Sequence, residues 1–487
     1  MSTIPILRLG AIKNVQRFKE HLHSLSLNIP CDDELLAGPE SSIRWPLLRG
    51  GFKFTNRIAV QPMEGWDALA DGNPSEYTLR RWRRFGSSGA SLIWGGEAVA
   101  VSHEGRANPN QLVLAPHTFA GLAALRVTLL QSYRETTGRD DKPVVGLQLT
   151  HSGRFCRPNV HDRPEPKILY HHPILDPRLG VPADSPVLTD EQIAGIVRDF
   201  HRAARAAWEL GFDFVDIKHC HGYLGHEFLS AHTRPGRYGG SFQNRTRFLR
   251  EVVEGIRSFA PGLQISVRLS AFDTVPFRPD PETSSPGKLG IGIPEPHAHL
   301  IPYHWGFSVN SACPTEMDLS ETIQFLALLE HLEIRLVNLT AGSPYYNPHI
   351  QRPAFYPPSD GYQPPEDPIV GVARQLAVAR QLKSQFPQLI LVGTAFSYLQ
   401  DFLPHVAQAA LREEWVDFVG LGRMVLSYPG LLFDASEGRS IQHRLVCRTF
   451  SDCTTAPRKG LPSGCYPLDH YYKASELAAK LKSAKAR

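Results

Sequence analysis

The chain has 487 residues and a formal charge of +4, with 42% hydrophobic and 21% charged residues. That balance suits a soluble protein with an ample core, and it excludes a nucleic-acid binder, since the Lys residues between Lys473 and Lys485 read as one solvated C-terminal helix. Seven cysteines fit a reducing compartment, and neither a bilayer-length apolar run nor a signal-peptide pattern occurs, so a cytoplasmic protein with no membrane partner is expected.

Residues 1–50 read as an N-terminal extension. From there apolar, strand-like runs alternate with amphipathic helical stretches. The strands fall near 57–61, 91–95, 144–149, 212–217, 264–269, 334–339, 389–393 and 417–421. Helical stretches are expected at 117–136, 242–259, 320–331 and 368–385. One unit is especially clear. Thr189 and Gln192 form a capping box, Ile193, Ile196, Val197, Phe200, Ala203, Ala204, Ala207 and Trp208 recur at helical spacing, and Gly211 supplies the stop. Eight such alternations suit an α/β fold of the (β/α)8 TIM-barrel type over residues 51–435, with a doubly wound open sheet as the competitor. The Pro-, Ser- and Gly-rich stretch 273–318 reads as an insertion after the fifth strand and a candidate lid. Residues 436–487 form a C-terminal extension holding Cys447, Cys453 and Cys465.

Polar residues cluster just after the strand runs, where a barrel builds its active-site face. The first strand leads into Gln61-Pro62-Met63-Glu64-Gly65 and the second into Gly95-Gly96-Glu97-Ala98. The third carries Gln148 and the fourth ends in Lys218-His219-Cys220-His221-Gly222-Tyr223. Arg268 lies on the fifth, Gly393-Thr394 closes the seventh and Gly422-Arg423 the eighth.

The segments NRIAVQPM at 56–63, QLTHSGR at 148–154, HGYLGHEFLSAHTRPGRYGGSFQNRTRFL at 221–249, SVRLS at 266–270 and VGLGRMVLSYPGL at 419–431 resemble the old yellow enzyme family of FMN-dependent ene-reductases. Its relatives include 2,4-dienoyl-CoA reductase and trimethylamine dehydrogenase. The resemblance implies an enzyme with bound FMN, NAD(P)H as electron donor and a small-molecule substrate; it leaves a homo-oligomer open. It implies backbone contacts to the flavin ring from Pro62 and Met63, with Ala98 flanking the ring and Gln148 on its pyrimidine edge. Arg268 would stabilise charge on the reduced ring. Gly393, Thr394, Gly422 and Arg423 would cradle the phosphate, a recurring use of the loops after strands seven and eight. Tyr223 would be the acid, with His221 and Lys218 gripping a substrate oxygen.

The chain departs from the family at several points. Lys218 stands where His is usual, which favours an anionic substrate. Glu64 stands where a small polar residue or Cys is usual, turned either outward or toward a cationic substrate group. Thr150 stands where an aromatic residue is common. Cys453 and Cys465 keep the last spacing of an iron–sulfur motif, but Cys447 is alone and Thr449 fills a ligand position, so no cluster is expected. His219, His221 and His226 read as hydrogen-bonded groups rather than metal ligands. Trp66, Trp82, Trp94 and Trp208 read as packing residues. The leading expectation is therefore hydride transfer from NAD(P)H to an activated C=C bond of an unsaturated carbonyl or carboxyl compound. A flavin-dependent amine dehydrogenase or demethylase, a Schiff-base aldolase using Lys218 and a non-catalytic flavin sensor stay open as alternatives.

Overall fold

Runs of two to seven mostly apolar residues pair side by side and close into a ring in the computed structural model, which describes residues 6–486. The eight strands are β1 (Ile58–Val60), β2 (Leu92–Ile93), β3 (Val144–Thr150), β4 (Phe214–Ile217), β5 (Gln264–Ser270), β6 (Leu336–Thr340), β7 (Ile390–Gly393) and β8 (Phe418–Leu421). All neighbours are parallel. The ring closes because β1 pairs with both β2 and β8, while β2 pairs with β3. Helices α1 (Glu76–Gly86), α2 (Phe119–Thr137), α3 (Asp190–Glu209), α4 (Arg247–Phe259), α5 (Ser320–His331), α6 (Pro368–Gln385) and α7 (Leu403–Arg412) follow strands β1 to β7 in turn, and the short α8 (Leu431–Ser436) follows β8. This is the expected (β/α)8 barrel rather than a doubly wound sheet.

Most elements sit within two residues of their sequence-based positions, and the exceptions have local causes. β2 ends at Ile93 because Gly95 and Gly96 adopt φ of +75° and +53°. A side chain at Gly95 would meet the Gln148 amide nitrogen at 2.4 Å, so only glycine fits this turn. Pairing resumes at Ala98–Ala100, which runs beside β3. The helix expected over 242–259 splits at Thr246 into Phe242–Arg245 and α4. Trp208, assigned to packing, lies on the open side of α3 and is 41% exposed.

The bottom of the ring is plugged by a hairpin. Strands Leu47–Arg49 and Phe52–Phe54 pair antiparallel across Gly50-Gly51, whose φ values of +60° and +81° match the twist of a tight hairpin. Phe52 and Phe54 pack with Ala59, Leu92, Trp94, Phe214, Ile390 and Phe418 in one buried cluster.

The capping box of α3 is formed. The Gln192 amide donates to Thr189 Oγ1 at 3.2 Å, and the Thr189 amide donates to Gln192 Oε1 at 2.8 Å. Thr189→Ala is expected to lower unfolding free energy by about 1 kcal/mol, read from the urea midpoint at constant slope.

The insertion and the C-terminal extension take different places around the site. The insertion 273–318 contains a small hairpin, Phe277–Pro279 with Gly292–Pro294. Its Asp273, Thr274, Tyr303 and Trp305 line a side cavity of about 350 Å³ with Arg154, His172 and Glu227. It lines no part of the main cavity. The C-terminal extension supplies the cover instead. Its helix Asp452–Arg458 lies at the mouth, tied by Ser451 Oγ to the Tyr356 carbonyl at 2.5 Å and by Ser463 to the cluster around Asp67 and Arg81. Residues 1–5 and 487 of the two extensions lie outside the described residues.

Candidate active site

A cavity of about 1200 Å³ opens at the C-terminal ends of the strands. It gathers Pro62, Met63, Gln148, Lys218, His221, Tyr223, Arg268, Thr394, Gly422 and Arg423, all expected from the sequence. Ala98 and Gly393 do not line it. Their backbones are engaged behind the wall, because the Ala98 carbonyl accepts from Gln111 Nε2 at 3.0 Å and the Gly393 carbonyl accepts from Gln61 Nε2 at 3.3 Å.

The inner wall rests on one buried carboxylate. Asp216 on β4 accepts from Trp94 Nε1 at 2.8 Å and from Gln148 Nε2 at 2.5 Å through one oxygen, and from the Arg268 amide at 2.6 Å through the other. Burial raises its pKa, while these three donors act against that. Gln148 and Arg268, far apart in sequence, are thereby fixed in one wall. The Arg268 guanidinium is buried and reaches only the Pro62 carbonyl, at 3.4 Å, with its Nε unpartnered. It does not pair with Asp273, which is taken by Tyr346 Oη and Asn347 Nδ2, both at 2.6 Å.

One end of the cavity holds a network of five side chains. Lys218 Nζ lies 2.5 Å from Glu64 Oε1. Tyr223 Oη donates to Glu64 Oε2 at 2.9 Å, and Trp66 Nε1 donates to the same oxygen at 2.9 Å. Tyr345 Oη lies 2.6 Å from Tyr223 Oη, and Lys218 Nζ sits 3.7 Å from the centre of the Tyr223 ring. Burial, and then the charge of Glu64, raise the Tyr223 pKa well above its ordinary value, so the hydroxyl keeps its proton at neutral pH. Burial, and then Arg268, push His221 well below its ordinary value; its neutral ring sits with Nε2 3.2 Å from Thr340 Oγ1. Glu64 faces inward, and Lys218 is its partner rather than a free anion grip. Trp66 packs, as expected, against the cluster of Phe155, Tyr223 and Tyr346, and it also donates to Glu64 and forms part of the cavity wall. An ammonium held in an ion pair has no lone pair for attack on a carbonyl, which counts against the aldolase alternative.

The opposite end is lined by guanidiniums. Arg423, at the start of a short helix after β8, donates from Nη2 to the Pro353 carbonyl at 2.8 Å and leaves Nη1 unpartnered and buried. Arg352, from the loop after β6, bonds Thr454 Oγ1 and leaves Nε unpartnered. Burial, and then the neighbouring Arg423, lower Arg352 to about 9. Two desolvated guanidiniums beside one another are unfavourable until an anion joins them. Arg352, Arg458, Tyr345, Thr454 and Cys453 are wall residues that the sequence reading missed. They lie on the loop after β6 and on the C-terminal extension, and no strand-end pattern marks them.

The family profile of NADH:flavin oxidoreductase / NADH oxidase matches residues 45–280. The chain is 31% identical to an NADPH dehydrogenase of Clostridium acetobutylicum over 223 residues, 45% of this chain and 60% of that protein. The match thus spans less than two thirds of that relative. It is 25% identical to an NADH:flavin oxidoreductase of Gibberella zeae over 402 residues, covering 80% of this chain and 83% of the relative. Among solved structures, the old yellow enzyme homologue from Zymomonas mobilis superimposes with a TM-score of 0.53 at 20% identity, covering 82% of this chain and 94% of that one. Strand order, a guanidinium-lined cavity at the strand ends and the match over residues 45–280 agree: this part of the chain is similar to the NADH:flavin oxidoreductase / NADH oxidase family.

Proposed function

We propose that this protein is an FMN-dependent oxidoreductase that passes hydride from NAD(P)H to an activated C=C bond of an unsaturated carbonyl compound. The observation that carries the reading is the set of orphaned donors in one cavity: Arg268 Nε, Arg352 Nε and Arg423 Nη1 are buried and unpartnered. A phosphate at Arg352 and Arg423, with an electron-rich ring edge at Arg268, would satisfy all three. Bound FMN would supply the hydride-transfer chemistry.

This chain's residues would do the rest. Pro62, Met63 and Gln148 would hold the ring edge against the strand ends, and Thr394 and Gly422 would flank the phosphate. His221, as a neutral imidazole, and Lys218 would bond the substrate oxygen and draw electrons from the double bond. Tyr223 would give its hydroxyl proton to the substrate carbon, and Tyr345, 2.6 Å away, would restore it. The C-terminal helix at the mouth would exclude water.

The test is reconstitution with FMN followed by visible absorbance. Arg352→Met and Arg423→Met are each expected to weaken FMN binding by roughly 10–100-fold, the value of one charge-assisted hydrogen bond. Protein that stays colourless in excess FMN overturns the reading.

A further inference from the structure

The sequence suggested that Lys218 would draw an anion into the site. The structure points the other way. Among the described residues lining the main cavity, Glu64 is the one carboxylate, and it already occupies the end that holds Tyr223. Its two oxygens take up Lys218 Nζ at 2.5 Å, Tyr223 Oη at 2.9 Å and Trp66 Nε1 at 2.9 Å. These are the donors that a substrate oxygen would otherwise use. Trp66 holds φ of +48°, a left-handed backbone that a bulky residue seldom adopts. Glu64 is thus held from both sides, by Lys218 across the barrel and by the indole of a strained neighbour.

We infer that Glu64 is a specificity-determining residue that acts as a built-in anion, selecting for uncharged carbonyl substrates and against carboxylates and phenolates. This rests on the proposed function and narrows its substrate class. A neutral carbonyl takes a hydrogen bond from Lys218 or Tyr223 while the Glu64–Lys218 pair persists. An anionic oxygen at the same donors lies beside Glu64 with no second cation to neutralise it. The four lining arginines do not serve: Arg268 would be taken by the flavin ring edge, Arg352 and Arg423 by the phosphate, and Arg458 is paired with Asp360. Like charges brought together in a desolvated pocket repel strongly and weaken binding.

The probes are benzoate and benzamide, equal in shape and different in charge, titrated calorimetrically into FMN-loaded protein. The native protein is expected to bind benzamide at least about tenfold more tightly than benzoate. Glu64→Gln is expected to strengthen benzoate by at least about tenfold and to leave benzamide within about threefold. Adding Lys218→Met to that variant is expected to remove the gain, because the freed ammonium is its source. Benzoate binding to the native protein as tightly as benzamide overturns the inference, whether or not any variant folds. So does a Glu64→Gln protein with unchanged benzoate affinity. If the protein takes up no FMN, the proposed function fails by itself. The same charge comparison then runs on protein saturated with inorganic phosphate, which fills the arginine end.

Discussion

Tyr223→Phe is expected to slow oxidation of the reduced flavin by substrate by about 10²- to 10⁴-fold, the usual contribution of one positioned acid, with no loss of bound FMN. The ring of Tyr223 is 3% exposed and packs with Phe155 and Tyr346, so a phenyl group keeps the fold. What is lost is the proton at Oη, and with it the link between Glu64 and Tyr345 at 2.9 and 2.6 Å. Reduction of the flavin by NAD(P)H needs no proton from this hydroxyl and should change little. Stopped-flow absorbance separates the two half-reactions. An unchanged reoxidation rate removes Tyr223 from the acid role, and equal slowing of both halves points to a displaced flavin.

Arg81→Met carries the second large effect, a loss of about 3–5 kcal/mol of stability. Arg81 on α1 is 2% exposed and holds two buried carboxylates, Asp67 at 2.5 Å and Glu97 at 2.6 Å. It also donates to the Ser463 carbonyl at 3.1 Å, and the Ser463 amide donates to Asp67 at 3.1 Å. Removing the cation leaves two carboxylates facing each other without solvent. The same arginine explains Gly65, where a side chain would come within 1.9 Å of its guanidinium. Because Ser463 belongs to the segment that covers the cavity, the variant should also cleave faster in the C-terminal extension under limited proteolysis. A drop in the urea midpoint worth less than about 1 kcal/mol would show that the carboxylates find other partners.

The eight strands and their helices were legible because each obeys a local rule. A buried parallel strand must be a short apolar run, and α3 must start where Thr189 and Gln192 cap it. The wall at Gln148, His221, Tyr223 and Arg268 was legible for the same reason, since chemistry in this fold gathers at strand ends. The placement of the insertion 273–318 was not legible. Its composition marks a loop but not the direction in which the loop folds, and packing sends it to the side cavity of Arg154 and Glu227.

By itself, then, the amino-acid order determined the barrel and the polar residues at its strand ends, which follow from spacing along single strands and helices; the flavin roles of those residues came from the resemblance alone. Tertiary structure alone decided what those residues mean to one another. Glu64 and Lys218 are 154 positions apart and Arg352 and Thr454 are 102 apart, yet each pair is bonded. Charge pairing and burial depend on distance in space, which no local pattern encodes, so the shift from an anion-seeking lysine to a neutralised one emerged only when the ring closed.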